Sequence, residues 1–317
     1  MLVNGKWSRD WDPVQKKDAE GRFIREDSSF RDRVTLESAD ASELKQRFHL
    51  YVAYICPWAT RTLITRSLLG LEDVIDVSVV EPFLTDLGWR FKDYPSSTPL
   101  VESEVEYIHQ LYTRTKADYT GRATVPVLWD NQQERIVNNE SADIVRIFNE
   151  DFRKVHQSSI DLYPEPLRDE IDAFNERIYH SLNNGVYRAG FASSQSAYEE
   201  AYTDVFDCLD WLEHLLGDRE YAMGDDLTES DIRLFVTLVR FDVAYHGLFK
   251  TNKRQIADYL NLSAYLEQLL SMEAFAKNTN IDHIKAGYYS IKALNPKQII
   301  PVGPELEWLP LVNHGDQ

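Results

Sequence analysis

Residues 48–70 read FHLYVAYICPWATRTLITRSLLG, and this stretch sets the architecture. Its first part, Phe48 to Ile55, is dense in β-branched and aromatic side chains, the composition of a buried strand. Cys56-Pro57 ends it, because proline cannot donate to a ladder yet suits the first turn of a helix. Ala59, Leu63, Ile64 and Leu68 then recur at helical spacing, and Gly70 supplies the stop. Val74 to Val80, VIDVSVV, reads as a second strand. Strand, helix and strand at this spacing predict a βαβ unit with parallel strands, since a crossover is what returns the chain in the same direction.

Downstream, residues 81–122 contain Pro82, Gly88, Pro95, Pro99 and Gly121 and read as a long irregular loop of the kind that serves function. Thr124 to Trp129 is strand-like, Asp130 to Gln133 a turn, and Arg135 to Asn138 a returning strand. Asn139-Glu140-Ser141 opens an amphipathic helix with Ile144, Ile147 and Phe148 on one face. Beyond Pro164 and Pro166 the pattern is helical over Leu167 to Asn183, Ser196 to Leu216, Glu229 to Tyr245 and Asn261 to Ser271. Thr228 and Asp231 form a capping box there, with Leu227 and Ile232 as its hydrophobic staple. The tail from Asn295 has four prolines and no period. Upstream, residues 1–46 are charged and interrupted by Gly5, Pro13 and Gly21. The expected division is therefore an N-terminal extension over 1–46, an α/β domain over 47–155 containing the loop 81–122, and an all-helical domain with an irregular tail over 156–317.

A chain of 317 residues, 43% hydrophobic and 27% charged, buries enough surface for two domains. Its net charge of −18 repels phosphate backbones and anionic lipid, and no basic patch offsets it, so neither nucleic acid nor membrane is an expected partner. The apolar runs fall far short of the ~20 residues of a membrane helix, and the N-terminus lacks the apolar core of a secretory leader. Two cysteines exclude a disulfide framework and point to a reducing, cytoplasmic setting. The eight histidines form no i, i+4 pair, so no metal is expected, and no Gly-rich phosphate loop signals a nucleotide.

Cys56, at a strand end where Pro57 opens a helix, lies near free backbone N–H groups and the positive end of the helix dipole, which favours the thiolate. A Cys-X-X-Cys site would carry a second cysteine at position 59. Ala59 stands there, so the second electron pair comes from an external thiol. Val125-Pro126, about 70 residues on, would as a cis-proline present the Val125 backbone to a peptide-like ligand, as thiol-binding folds of this kind do; the sequence does not specify the isomer, and most X-Pro bonds are trans. Glu140-Ser141 at a helix start either caps the helix or holds a free amino-acid end, Glu140 taking the ammonium and Ser141 with the helix N–H groups the carboxylate. Tyr51 or Tyr54 is an alternative activating group, though Cys56 holds the better position. Cys208, among Val205, Leu209 and Leu212, reads as core.

The order Cys-Pro-Trp-Ala, Thr-Val-Pro-Val-Leu-Trp, Asn-Glu-Ser-Ala, then an all-helical half resembles the glutathione transferase superfamily in its cysteine-containing branch. More closely, Cys56-Pro57-Trp58-Ala59, Arg61-Thr62-Leu63, Gly88-Trp89-Arg90-Phe91, Arg240-Phe241-Asp242, Tyr245-His246-Gly247 and His283-Ile284-Lys285 resemble the glutathionyl-hydroquinone reductases, or Xi class. The likeness runs from about Tyr51 to Pro304, and departs where Thr60 and Glu81 replace histidines common in the family. It implies a fold of α/β plus all-α class, a thioredoxin-like N-terminal domain followed by an all-helical glutathione-transferase domain. It also implies Cys56 as nucleophile, and glutathione as co-substrate held by Trp89, Arg122, the Val125 backbone, Glu140 and Ser141. Tyr187, Tyr245 and Tyr288 would line a hydroquinone pocket, and the chain would pair as a homodimer.

The activity so implied is reduction of S-glutathionyl-hydroquinones to free hydroquinones through a Cys56–glutathione mixed disulfide. Two other readings stand beside it: an omega-like thiol transferase or dehydroascorbate reductase, and a non-enzymatic binding module on the same fold. Glutathione conjugates are anionic, so the acidic chain needs local cations, for which Arg90, Lys92, Arg114, Lys116 and Arg122 are the candidates.

Overall fold

The described residues of the chain, in a computed structural model, are 1–9, 16–36, 41–99 and 105–312. His314 and the parts of the extension and long loop at 10–15, 37–40 and 100–104 lie outside them. The chain divides into two compact units. Residues 1–9, 27–36, 41–99 and 105–160 build the first, and 16–26 with 161–312 the second, so the N-terminal segment is shared between them.

In the first unit, β1 (Phe48–Val52), α1 (Pro57–Leu68) and β2 (Ile75–Val79) form the βαβ unit, with β1 and β2 parallel in the register Leu50 opposite Val77. The hairpin of β3 (Leu84–Thr85) and β4 (Gly88–Trp89) follows, then α2 (Ile108–Thr115), β5 (Val127–Asp130), β6 (Arg135–Asn138) and α3 (Ser141–Arg146). The four-stranded sheet runs β2-β1-β5-β6, with β5 antiparallel to both its neighbours. Pro126 precedes β5, where a missing N–H costs no ladder bond. Alternate residues of β1 (Phe48, Leu50, Val52) are buried, as are Leu63 and Ile64 of α1 and Ile144 of α3, so the helices cover the sheet with apolar faces.

The long loop is more ordered than its prolines suggest. It holds the β3–β4 hairpin and α2, whose Ile108, Leu111 and Tyr112 are buried on one face. At eight residues, with His109, Gln110, Thr113 and Arg114 interleaved, α2 is too short to stand out from irregular chain.

His49 on β1 makes a 2.8 Å hydrogen bond with Ser78 Oγ, and burial pushes its imidazole pKa down to about 4. The unfolded chain therefore takes up this proton first as pH falls. The stability this group contributes is complete above ~6.5 and is lost as pH falls toward ~4, about 3 kcal/mol in all. Chemical denaturation between about pH 7 and pH 4 should show this fall, and His49→Gln should flatten it. An unchanged slope in the variant would assign the acid sensitivity to other groups.

The second unit holds α4 (Arg168–Ile178), α5 (Gly185–Gly190), α6 (Gln195–Leu215), α7 (Glu229–Arg240), α8 (Leu260–Leu270) and α9 (Ile281–Tyr289). Every residue of α7 is buried, making it the centre of this unit. α4 and α7 pass into wider π-turns at Tyr179–Asn183 and Phe241–Tyr245. Thr228 caps α7 and Asp231 closes the box: Ser230 N–H donates to Thr228 Oγ1 at 3.3 Å and Thr228 N–H to Asp231 Oδ2 at 2.8 Å. Among the described residues no helix is long and apolar enough to cross a membrane.

Candidate active site

The turn from β1 into α1 is made by Cys56 N–H donating to Ala53 O at 3.0 Å, and Cys56 becomes the N-cap with φ −77° and ψ 114°. Pro57 takes the first helical position. Thr60 N–H and Thr60 Oγ1–H both donate to the Cys56 carbonyl at 3.1 Å, fixing the backbone beneath the thiol. The half-buried Sγ lies 3.5 Å from the carbonyl oxygen of Val125, and the Val125–Pro126 bond is cis. A thiol at a helix N-terminus beside this backbone is arranged for nucleophilic attack on sulfur.

Glu140 is the N-cap of α3: its Oε1 accepts the Ala142 N–H at 3.1 Å, and Ser141 Oγ lies 3.4 Å from the same oxygen. Capping thus coexists with a carboxylate still half-exposed. The residues preceding Val125 and Glu140 are joined. Asn139 Nδ2 donates to Tyr112 Oη at 2.9 Å and Thr124 Oγ1 at 3.3 Å, and Tyr112 O–H donates to Thr124 O at 2.9 Å. Tyr112 is fully buried, and burial raises its pKa, so it remains a phenol.

Trp89 stands on β4, paired with Leu84, and Arg122 on the segment leading to Val125, its carbonyl accepting from Tyr119 O–H at 3.2 Å. Gly88, with φ +88°, presses against Trp7, which donates from Nε1 to Asp86 O at 2.8 Å. Arg90 does not serve as a free steering cation. Its Nε donates to the buried Glu81 carboxylate at 2.6 Å, so the two opposite charges offset each other.

In the second unit the three tyrosines converge. Tyr288 Oη lies 2.5 Å from Tyr187 Oη and 2.9 Å from Tyr245 Oη, a chain of phenols with Tyr288 at its centre. Burial holds Tyr245 and Tyr288 well above the ordinary phenol pKa, so both keep their protons as donors. Phe249 packs against all three rings. Gly190 permits this, since a Cβ there would come 2.4 Å from Phe249 Cγ.

Sequence reasoning missed Arg25. Residues 16–24 form a small hairpin, Ile24 N–H donating to Lys16 O at 2.8 Å, and Ser194 Oγ–H donates to Glu20 O at 2.6 Å. Arg25 follows with its guanidinium 5.0 Å from the Tyr187 ring centre and its Nε donating to Asn184 Oδ1 at 3.0 Å. No local pattern marks it, because its partner Asn184 lies 159 residues away in the chain. The rival nucleophiles fare poorly: burial pushes Tyr51 up to about 12 and raises Tyr54, and Cys208 is buried with its thiol pushed up to about 12. Among the described residues no group of three His, Cys, Asp or Glu side chains could hold a metal ion.

The models of the glutathione S-transferase N-terminal domain and C-terminal domain match residues 55–151 and 195–268. The chain is 48% identical over 305 residues to the glutathionyl-hydroquinone reductase PcpF of Sphingobium chlorophenolicum, covering 96% of each. It is 45% identical over 313 residues to the glutathionyl-hydroquinone reductase YqjG of Escherichia coli K12, covering 96% of this chain and 95% of that one. The glutathione-bound structure of YqjG superimposes with a TM-score of 0.86 at 41% identity, over 98% of this chain and 97% of that one. The glutathione S-transferase Xi of Phanerochaete chrysosporium superimposes with a TM-score of 0.86 at 44% identity, over 95% and 97%. A cysteine at the helix N-terminus, a cis Val-Pro beside it, and full-length identity to these proteins together mean that the chain belongs to the glutathione transferase superfamily, in its Xi class of glutathionyl-hydroquinone reductases.

Proposed function

We propose that this chain reduces S-glutathionyl-hydroquinones to free hydroquinones with glutathione as co-substrate. The observation that carries the reading is Cys56 at the N-cap of α1 with its sulfur 3.5 Å from the Val125 carbonyl, in a chain 48% identical to a glutathionyl-hydroquinone reductase over its length. The Cys56 thiolate attacks the glutathione sulfur of the substrate. The carbon–sulfur bond breaks, its electron pair stays on the ring carbon, and that carbon takes a proton, leaving a Cys56–glutathione mixed disulfide. A second glutathione thiolate attacks the disulfide and leaves as oxidised glutathione, restoring Cys56. The products are one hydroquinone and one oxidised glutathione.

Residues 47–155 supply the glutathione site in this proposal: Trp89 and Arg122 hold its flank, the Val125 backbone pairs with its peptide, Glu140 takes the ammonium and Ser141 the γ-glutamyl carboxylate. The helical domain, 156–317, supplies the ring site through Tyr187, Tyr245 and Tyr288, which hydrogen-bond the ring oxygens and deliver the proton. The proposed setting is the cytoplasm and the proposed assembly a homodimer, in keeping with the class.

The test is to supply glutathione with the menadione adduct and follow free hydroquinone together with oxidised glutathione. Equal release of both supports the reading. Dehydroascorbate or disulfide reduction without hydroquinone release would favour the omega-like alternative, and no activity on either the binding module. Within this scheme Tyr288→Phe removes both hydroxyl contacts at once and should lower kcat by about 10²–10⁴-fold. KM for glutathione should hold steady; an equal loss in glutathione affinity would deny the tyrosines a role confined to the ring.

A further inference from the structure

Residues 28–32 run along the free edge of β6. Asn139 N–H donates to Phe30 O at 3.0 Å and Asp32 N–H to Val137 O at 3.1 Å, an added ladder on the sheet of the first unit. The segment is anchored on both sides of this ladder. Arg31 donates to both oxygens of Asp143 at 2.7 Å, Phe30 N–H donates to Asn139 Oδ1 at 2.9 Å, and the Phe30 ring packs on Tyr112 and Tyr119. At its start this ladder delivers Ser28 to Glu140: Ser28 Oγ–H donates to Glu140 Oε2 at 2.9 Å, with Asn139 O at 3.2 Å as its other acceptor.

The Glu140 carboxylate is therefore gripped at both oxygens, Oε1 by the Ala142 N–H of α3 and Oε2 by a hydroxyl from 112 residues earlier in the chain. A glutamate side chain has three rotatable bonds, and leaving it free would charge their ordering against binding; one already oriented meets a cation with little further loss. We infer that Ser28 is a positioning residue for glutathione, acting through Glu140 to hold its carboxylate toward the γ-glutamyl ammonium. This rests on the reading of Glu140 as the ammonium site. It gives the N-terminal extension a part in ligand recognition, with specificity for a free primary amine on the γ-glutamyl end.

The experiment is equilibrium binding by calorimetry to the full chain, using glutathione and its deaminated analogue, in which hydrogen replaces the γ-glutamyl ammonium. The unaltered chain should prefer glutathione. Ser28→Ala should weaken glutathione about five- to tenfold and leave the analogue unchanged, while Ser28→Thr, which keeps the hydroxyl, should restore the preference. In a Glu140→Gln background Ser28→Ala should have no further effect. Unchanged glutathione affinity in Ser28→Ala, or equal weakening of both ligands, would overturn the inference and leave Ser28 a strand-edge residue. Equal affinity of the unaltered chain for the two ligands would overturn the reading of Glu140 itself, and Ser28 with it.

Discussion

Cys56→Ser is expected to lower hydroquinone release by roughly 10⁴-fold or more while leaving the fold and glutathione binding in place. The hydroxyl occupies the same N-cap, where serine is a favourable residue, so α1 keeps its start and its Pro57. What it loses is the thiolate. A serine hydroxyl stays protonated at neutral pH, and the dipole at a helix N-terminus is far too weak to ionise it. Without attack on the glutathione sulfur the carbon–sulfur bond has no route to cleavage, and mass spectrometry should find the glutathione adduct on the unaltered chain and none on the variant. No second cysteine can take over, because Cys208 is buried with its thiol pushed up to about 12. More than about a tenth of the original turnover in the variant would move the chemistry away from Cys56.

The largest stability effect is expected at Asp231, with Asp231→Ala costing about 3–5 kcal/mol. The carboxylate is fully buried in α7 and accepts at each oxygen. Ala222 N–H and Tyr265 O–H reach Oδ1 at 2.7 Å, and Thr228 N–H and Oγ1–H reach Oδ2 at 2.8 and 3.3 Å. Burial pushes the Asp231 carboxyl pKa upward, and these donors oppose it. Alanine strands four donors at once, each costing about 1–3 kcal/mol if nothing replaces its partner, with partial relaxation holding the total below their sum. Urea titration read by circular dichroism measures the difference. A loss below about 1 kcal/mol would mean that water enters and serves the donors, and that the box is not what holds the start of α7.

Both predictions start from features that are local in the chain. Cys56-Pro57, Val125-Pro126, Glu140-Ser141 and the Thr228–Asp231 box are each read within a few residues, because turn chemistry, capping and proline geometry are local properties of the backbone. The boundaries were less legible. The first strand ends at Val52 rather than Ile55, because Ala53 to Ile55 turn the chain so that Cys56 can cap α1. Helices α5 and α9, which carry Tyr187 and Tyr288, were not anticipated at all. At six and nine residues they are too short for their periodicity to rise above the surrounding chain, and tertiary packing holds them helical.

The sequence by itself determined the βαβ start, the helical second half, the cysteine at the start of α1, the family and hence the reaction class, all of which depend on residues close together in the chain. Tertiary structure alone decided which distant groups meet. Tyr187 and Tyr288, 101 residues apart, share a 2.5 Å hydrogen bond, and Arg25 rests against the Tyr187 ring. Glu81 neutralises Arg90, and Ser28 reaches Glu140 across 112 residues. No period of 2 or 3.6 announces such pairs, because they are set by how sheet edges and helix faces bury apolar surface, and polar groups brought along by that burial must then find partners where they land.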